Sequence, residues 1–292
     1  MQGPVTDQPG GKENGAGYGQ PPQGYGQPPQ GYGQPPQGYG QPPTAYGQPP
    51  GPPGQQVQMA PIAQSIPGVP PGLEYLTQVN QLIIKQIIEL LEVFTGWETN
   101  NKYRVFNTMG QQVYYAGEET DLCMRLCCGP GRGFTIHITD NYGKEVISVK
   151  REFKCCAGCC WCANADCCAF ELQVEAPPGQ VIGYVRQEQS GWKPHYSIRD
   201  ANHEKIASIT GPCCVCNAPC CGDVEFPVMS ADGTQEIGKV SKQWTGAISE
   251  YFTDSDTFSV SFPQDMDVKM KATLFGAVFL IDFMYFEHNN NN

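Results

Sequence analysis

Apolar and polar positions alternate along most of this chain, and the alternation sets in near residue 70. KYRVFN and QQVYYAG flank Thr108–Gly110, and FTIHITD and KEVISVKREF flank Asn141–Gly143. HYSIRD and KIASIT flank Ala201–Glu204, and VEFPVMS and QEIGKVSKQW flank the Ala231–Gly233 turn. Runs of β-branched and aromatic residues with period two, bounded by small or polar residues, predict antiparallel hairpins. The segment VNQLIIKQIIELLEVF (79–94) fits either period. Val79, Ile83, Ile87, Leu90 and Leu91 share a helical face, while the isoleucine and valine content suits a strand equally well.

The end of the chain reads differently. Asp254, Asp256, Asp265 and Asp267 crowd ahead of Lys269 and Lys271, forming an acidic segment over 254–267. An apolar run, 272–286, follows and is broken only by Thr273 and Asp282. At 1.5 Å per residue it falls short of the roughly 20 residues needed to cross a bilayer core. Its central aspartate adds about 2.5–3.5 kcal/mol to insertion. The run therefore predicts a helix buried in the protein's own core rather than a membrane span. Many short strands at this spacing predict a closed or nearly closed β structure. A barrel of about a dozen strands has a lumen too wide for its wall residues to fill, and 272–286 is the candidate filler. The expected fold class is mainly β: a closed antiparallel barrel around a C-terminal apolar helix.

Residues 1–69 form a separate region, and 70–292 the folded domain. GYGQPPQ and close variants repeat five times over 17–51. Such a tract buries too little apolar area to repay the entropy of ordering, so a disordered tail with polyproline II character is expected. PxxP spacing at Pro49–Pro52, Pro50–Pro53 and Pro67–Pro70 suits SH3 or WW partners. A plain solvated tail explains the same spacing.

A net charge of −11 argues against a nucleic-acid partner and against simple adsorption onto anionic lipid. The N-terminus has no apolar h-region, and Gln2 stands where myristoylation needs glycine. With no export signal, fifteen cysteines argue for thiol chemistry other than a disulfide framework. No GxSxG, HExxH, Walker or dinucleotide fingerprint occurs, and the histidines have no catalytic spacing, so an enzyme is not expected.

The thiols fall into three clusters: Cys123, Cys127 and Cys128; Cys155–Cys168; and Cys213–Cys221. The middle cluster holds Cys155, Cys156, Cys159, Cys160, Cys162, Cys167 and Cys168 between two predicted strands. One acyl chain holds a protein to a membrane only reversibly, so stable anchoring takes two or more, and clustered thiols supply that multiplicity. Phe153, Trp161 and Phe170 suit a membrane interface. Zinc is the rival reading, because Cys156/Cys159, Cys159/Cys162 and Cys213/Cys216 have CxxC spacing. For 213–221, zinc, a disulfide and no role all stand open.

The window 254–265 carries aspartate at positions 1, 3 and 12, as an EF-hand loop does. Its expected calcium ligands are Asp254, Asp256 and Asp265, with backbone carbonyls of Phe258, Val260 and Phe262. Ser259 replaces the turn glycine and Asp265 the longer glutamate, so only weak binding is expected, about 10⁻⁴–10⁻³ M. DTFSVSF alternates as a strand would, and a solvated acidic turn is the plain alternative.

PPGLEYLTQVNQLII (70–84), TGWETNNKYRVFN (95–107), CCGPGRGFTIHITDNYGKEVI (127–147) and EAPPGQVIGYV (175–185) resemble parts of phospholipid scramblases. So do GKVSKQWTG (238–246), DSDTFSVSFPQDMDVKMKA (254–272) and FLIDFMYFE (279–287). Together they span nearly all of the chain after Val69. The resemblance implies a tubby-like fold, a twelve-stranded barrel around a central C-terminal helix, and strands within 79–94. It implies palmitoylation of the middle cysteine loop. Cys167 and Cys168 fall on the family's last cysteine pair, whereas Ala163–Asp166 depart from its cysteine–proline core.

The implied activity is calcium-responsive, ATP-independent movement of phospholipids between leaflets by a lipid-anchored protein. Its expected location is the cytoplasmic face of the plasma membrane, with self-association left open. The alternative is a lipid-anchored adaptor that binds lipid and SH3 or WW partners without translocating lipid; a zinc-containing structural domain is a third reading.

Overall fold

A computed structural model describes residues 57–61, 63–87, 101–213, 215, 222–243 and 256–287. The strands are β1 (Gln81–Ile87), β2 (Lys102–Phe106), β3 (Gln112–Glu119), β4 (Phe134–Thr139), β5 (Glu145–Arg151) and β6 (Glu171–Glu175). They continue as β7 (Val181–Gln187), β8 (His195–Asp200), β9 (Lys205–Thr210), β10 (Val224–Ser230), β11 (Glu236–Gln243) and β12 (Thr257–Ser261). Each pairs antiparallel with its neighbour in sequence, and β1 closes the barrel against β12 with Leu82 opposite Val260 and Ile84 opposite Phe258. Closure removes the edge strands that would otherwise invite a second chain.

The period-two pattern sorts the side chains as expected. In β4, Phe134, Ile136 and Ile138 are buried, while Thr135, His137 and Thr139 are only partly so. The four predicted hairpins are β2–β3, β4–β5, β8–β9 and β10–β11. Of the segment 79–94, β1 is a strand, and 88–94 lie outside the described residues.

Inside the barrel runs a helix, Val268–Tyr285. It starts ahead of the expected Ala272 because the Asp267 carboxylate accepts from the amides of Lys269 and Met270 at 2.9 and 3.2 Å, an N-cap. Every residue from Lys271 to Phe283 is buried, as a helix apolar on all sides requires. Phe275 stacks on Tyr114, Phe279 meets Tyr103 edge-on at 5.2 Å, and Phe283 lies 4.2 Å from the Phe134 ring. The helix comes so close to β7 that a Cβ at Gly183 would sit 2.5 Å from Thr273 Oγ1.

Strand direction gives the barrel two unlike ends. The tight turns 107–111, 140–144, 176–180, 201–204 and 231–235 share one end, where the helix also enters. The long connections 120–133, 152–170, 188–194 and 211–223 leave and rejoin at the other, the loop end, where the helix finishes.

Residues 57–60 already belong to this unit, ahead of the expected boundary at 70. Gln112 donates its amide to Gln58 and accepts from Ala60. Pro67–Pro70 is a turn closed by Val69 donating to Ile66, so this PxxP site lacks the extended backbone an SH3 groove reads. The repeats and the other two PxxP sites lie outside the described residues.

Candidate functional site

The middle cysteine cluster sits at the loop end between β5 and β6. Cys155, Cys156, Cys159, Cys162 and Cys167 are exposed, and Cys160 and Cys168 are partly covered. The loop is held from below. Lys154 Nζ donates to the carbonyls of Asp166 and Ala169 at 2.8 and 2.9 Å, and Arg186 pairs with Asp166 at 2.6 Å. Ser190 donates its amide to the Cys160 carbonyl, and Gln189 Nε2 donates to that of Trp161. The thiols are thus presented on a shaped surface.

Their acidities differ. Amide hydrogen bonds from Trp161 and Cys162 pull the Cys159 thiol below its ordinary value. The neighbouring thiol of Cys155 pushes Cys156 up, Cys159 does the same to Cys162, and Cys167 drives Cys168 up to about 11. Cys155 and Cys156 lie 3.6 Å apart and Cys167 and Cys168 3.7 Å apart. Among the described residues no three His, Cys, Asp or Glu side chains converge to hold a metal ion. Cys213 is exposed, and Cys214 with 216–221 lies outside the described residues.

The acidic window is not brought together. Thr257–Ser261 is β12, hydrogen-bonded to β1 on one side and β11 on the other. Phe258 and Val260 face the interior and their backbones are paired within the ladder, so their carbonyls are not free to turn toward an ion. Phe262 is buried and its amide donates to Asn80. Asp256 precedes the strand at the loop end and the exposed Asp265 follows it at the turn end. Strand rise separates the two by roughly 20 Å, so one cation cannot touch both. Asp254 lies outside the described residues. Asp256 Oδ1 pairs with Lys242 at 2.8 Å, while its buried Oδ2 has no hydrogen-bond partner among the described residues.

Beneath the loops lies a buried polar network that period and composition gave no means to foresee. Arg132 Nε donates to Glu118 at 2.8 Å, and its Nη1 and Nη2 donate to Glu287 at 2.9 and 2.5 Å. Burial lowers the Arg132 pKa, but hydrogen bonds to Glu287 and Glu118 outweigh it and the net shift is upward. Arg151 donates to the Arg132 carbonyl and sets its guanidinium carbon 4.5 and 4.4 Å from the Phe134 and Phe170 ring centroids; burial, then the Arg132 charge, lowers its pKa to about 9. Tyr103 donates to Asp282 Oδ2 at 2.7 Å, and burial holds that carboxyl up at about 8. These contacts fasten the end of the helix to the wall.

A closed barrel threaded by its own helix, with thiols gathered at one end, defines a helix-filled β-barrel whose chemistry lies in its loops. A family model named Scramblase matches residues 59–288. Human phospholipid scramblase 1 is 51% identical over 231 residues, covering 79% of this chain and 70% of that protein. Bovine phospholipid scramblase 2 is 49% identical over 239 residues, or 81% and 79% of the two chains. Human phospholipid scramblase family member 5 is 45% identical over 221 residues, or 76% and 79%. The chain belongs to the scramblase family. Among the described residues no helix is long and apolar enough to cross a membrane.

Proposed function

We propose that this chain moves phospholipids between membrane leaflets without ATP, held to the cytoplasmic face of the plasma membrane by acyl chains on Cys155–Cys168. No bond in the lipid is made or broken, so the protein is a transporter rather than an enzyme. Family membership carries the reading. The exposed thiols at one end supply the multiplicity that stable acyl anchoring needs.

The helix occupies the barrel interior, with Lys271–Phe283 buried, so headgroups pass outside the barrel, where the anchored loop end disturbs the bilayer. Calcium enters this proposal only through Asp254 and Asp256, supported by the buried Asp256 Oδ2, which has no hydrogen-bond partner among the described residues. The proline-rich tail recruits SH3 or WW partners.

The filled interior also favours a second reading, a lipid-anchored adaptor that binds membranes and partners but translocates nothing. Dithionite quenching of labelled lipid in proteoliposomes separates the two. Scrambling exposes inner-leaflet label without ATP, and faster with calcium. Protection equal to that of protein-free vesicles, with the folded protein membrane-bound, would leave the adaptor.

A further inference from the structure

Large apolar side chains are exposed at the loop end on separate connections. The short helix Leu122–Cys128 presents Leu122 and Leu126, 55% and 67% exposed, on one face. The cysteine loop adds Phe153 and Trp161, and the β7–β8 connection adds Trp192, at 45%, 57% and 75%. Helical spacing puts Cys123 and Cys127 beside the two leucines, with their sulfurs 3.9 Å apart.

Trp161 and Trp192 meet edge-on at 5.2 Å across two loops that Ser190 and Gln189 bind together. Their geometry is therefore set before any partner arrives, which lowers the entropic cost of docking.

We infer that this apolar face docks directly onto a zwitterionic lipid surface, independently of any acyl chain. The inference rests on the membrane reading above and names the residues that enter the interface. Three observations select lipid as the occupant. Tryptophan and leucine on loop tips suit the headgroup boundary, where one side of a ring is apolar and the other wet. The thiols proposed for acylation lie on the same end, so both contacts engage one plane. The chain as a whole carries −11, yet on the three connections that bear these side chains Asp121, Glu152, Asp166 and Glu188 are matched by Arg125, Arg132, Lys154 and Lys193. A locally balanced face on an acidic protein fits lipid of no net charge and makes docking insensitive to salt.

The test uses the full chain stripped of thioesters by hydroxylamine and mixed with phosphatidylcholine vesicles, with flotation and tryptophan emission as readouts. The wild-type chain is expected to float at low and high salt with its emission shifted to the blue. Leu122→Asp with Leu126→Asp should weaken partitioning by at least about tenfold. Trp161→Ala with Trp192→Ala should do the same, and provides a second route should the leucine variant fold poorly. Met109→Asp with Tyr142→Asp, exposed at the turn end, should change nothing. Failure of the deacylated wild type to float, flotation abolished by salt, or loop-end variants partitioning like wild type would each overturn the inference. Lipid translocation is not read here, so a negative dithionite assay leaves this inference standing, and a negative flotation leaves scrambling by an acyl-anchored protein standing.

Discussion

Asp282 sits in an apolar helix, where its carboxyl accepts a hydrogen bond from the Tyr103 hydroxyl. Burial raises its pKa to about 8, so the folded protein retains a proton that the unfolded chain releases near pH 4. Stability should therefore fall as pH rises from about 4 to about 8 and level off above that. Asp282→Asn keeps an acceptor for Tyr103 and cannot ionise; thermal melts should show its Tm flatter across that window and above wild type at pH 8. A wild-type slope in the variant would refute the assignment. Cys159 gives a second residue-scale expectation. The thiolate is the reactive form, so at neutral pH limited iodoacetamide treatment should label Cys159 well before Cys168, as mass spectrometry can follow. Equal labelling would count against the amide contacts. The thiol cluster itself was legible in the sequence. Which thiol is activated was not, because that depends on where two amides point.

At the scale of elements, Lys271 explains how a helix with a lysine can lie inside a barrel. Its Nζ donates to the carbonyls of Leu76, Val79 and Gln264 at 2.9, 2.9 and 2.7 Å. One ammonium thus ties the 3-10 turn Glu74–Thr77 and the β12–helix connection to the first turns of the helix. Lys271→Met keeps the length but leaves buried carbonyls without a donor, at roughly 1–3 kcal/mol each. Urea unfolding should show a loss of at least about 3 kcal/mol, and a loss below about 1 kcal/mol would mean that water replaces the ammonium. The hairpins were readable because each strand carries its own alternation and its own turn. The acidic window reads two ways for the converse reason: its spacing copies a calcium loop, yet alternation and two neighbouring strands make Thr257–Ser261 β12.

For the whole molecule, the helix and barrel depend on each other. The barrel wall points Tyr114, Tyr103 and Phe134 inward, and the helix gives them Phe275, Phe279 and Phe283 to pack against, while Val174 and Leu172 close over Gly276. Removing 272–292 should therefore abolish cooperative melting and leave compact material with exposed apolar surface. A sharp thermal transition in that truncated chain would show that the barrel is self-sufficient. The same mutual dependence answers the question of the apolar run: it is core.

The sequence alone determined the mainly β class, four of the hairpins, the apolar filler and the thiol loop. Those properties follow from local period, turn residues and composition, which each segment carries in itself. Tertiary structure decided three further matters: that β1 meets β12, that Asp256 and Asp265 stand at opposite ends, and that Arg132, Glu118 and Glu287 form one buried network. It also decided that Leu122, Trp161 and Trp192 share an end. Each depends on strand direction and closure, which join residues far apart in the chain, and no local pattern records which distant segments will meet.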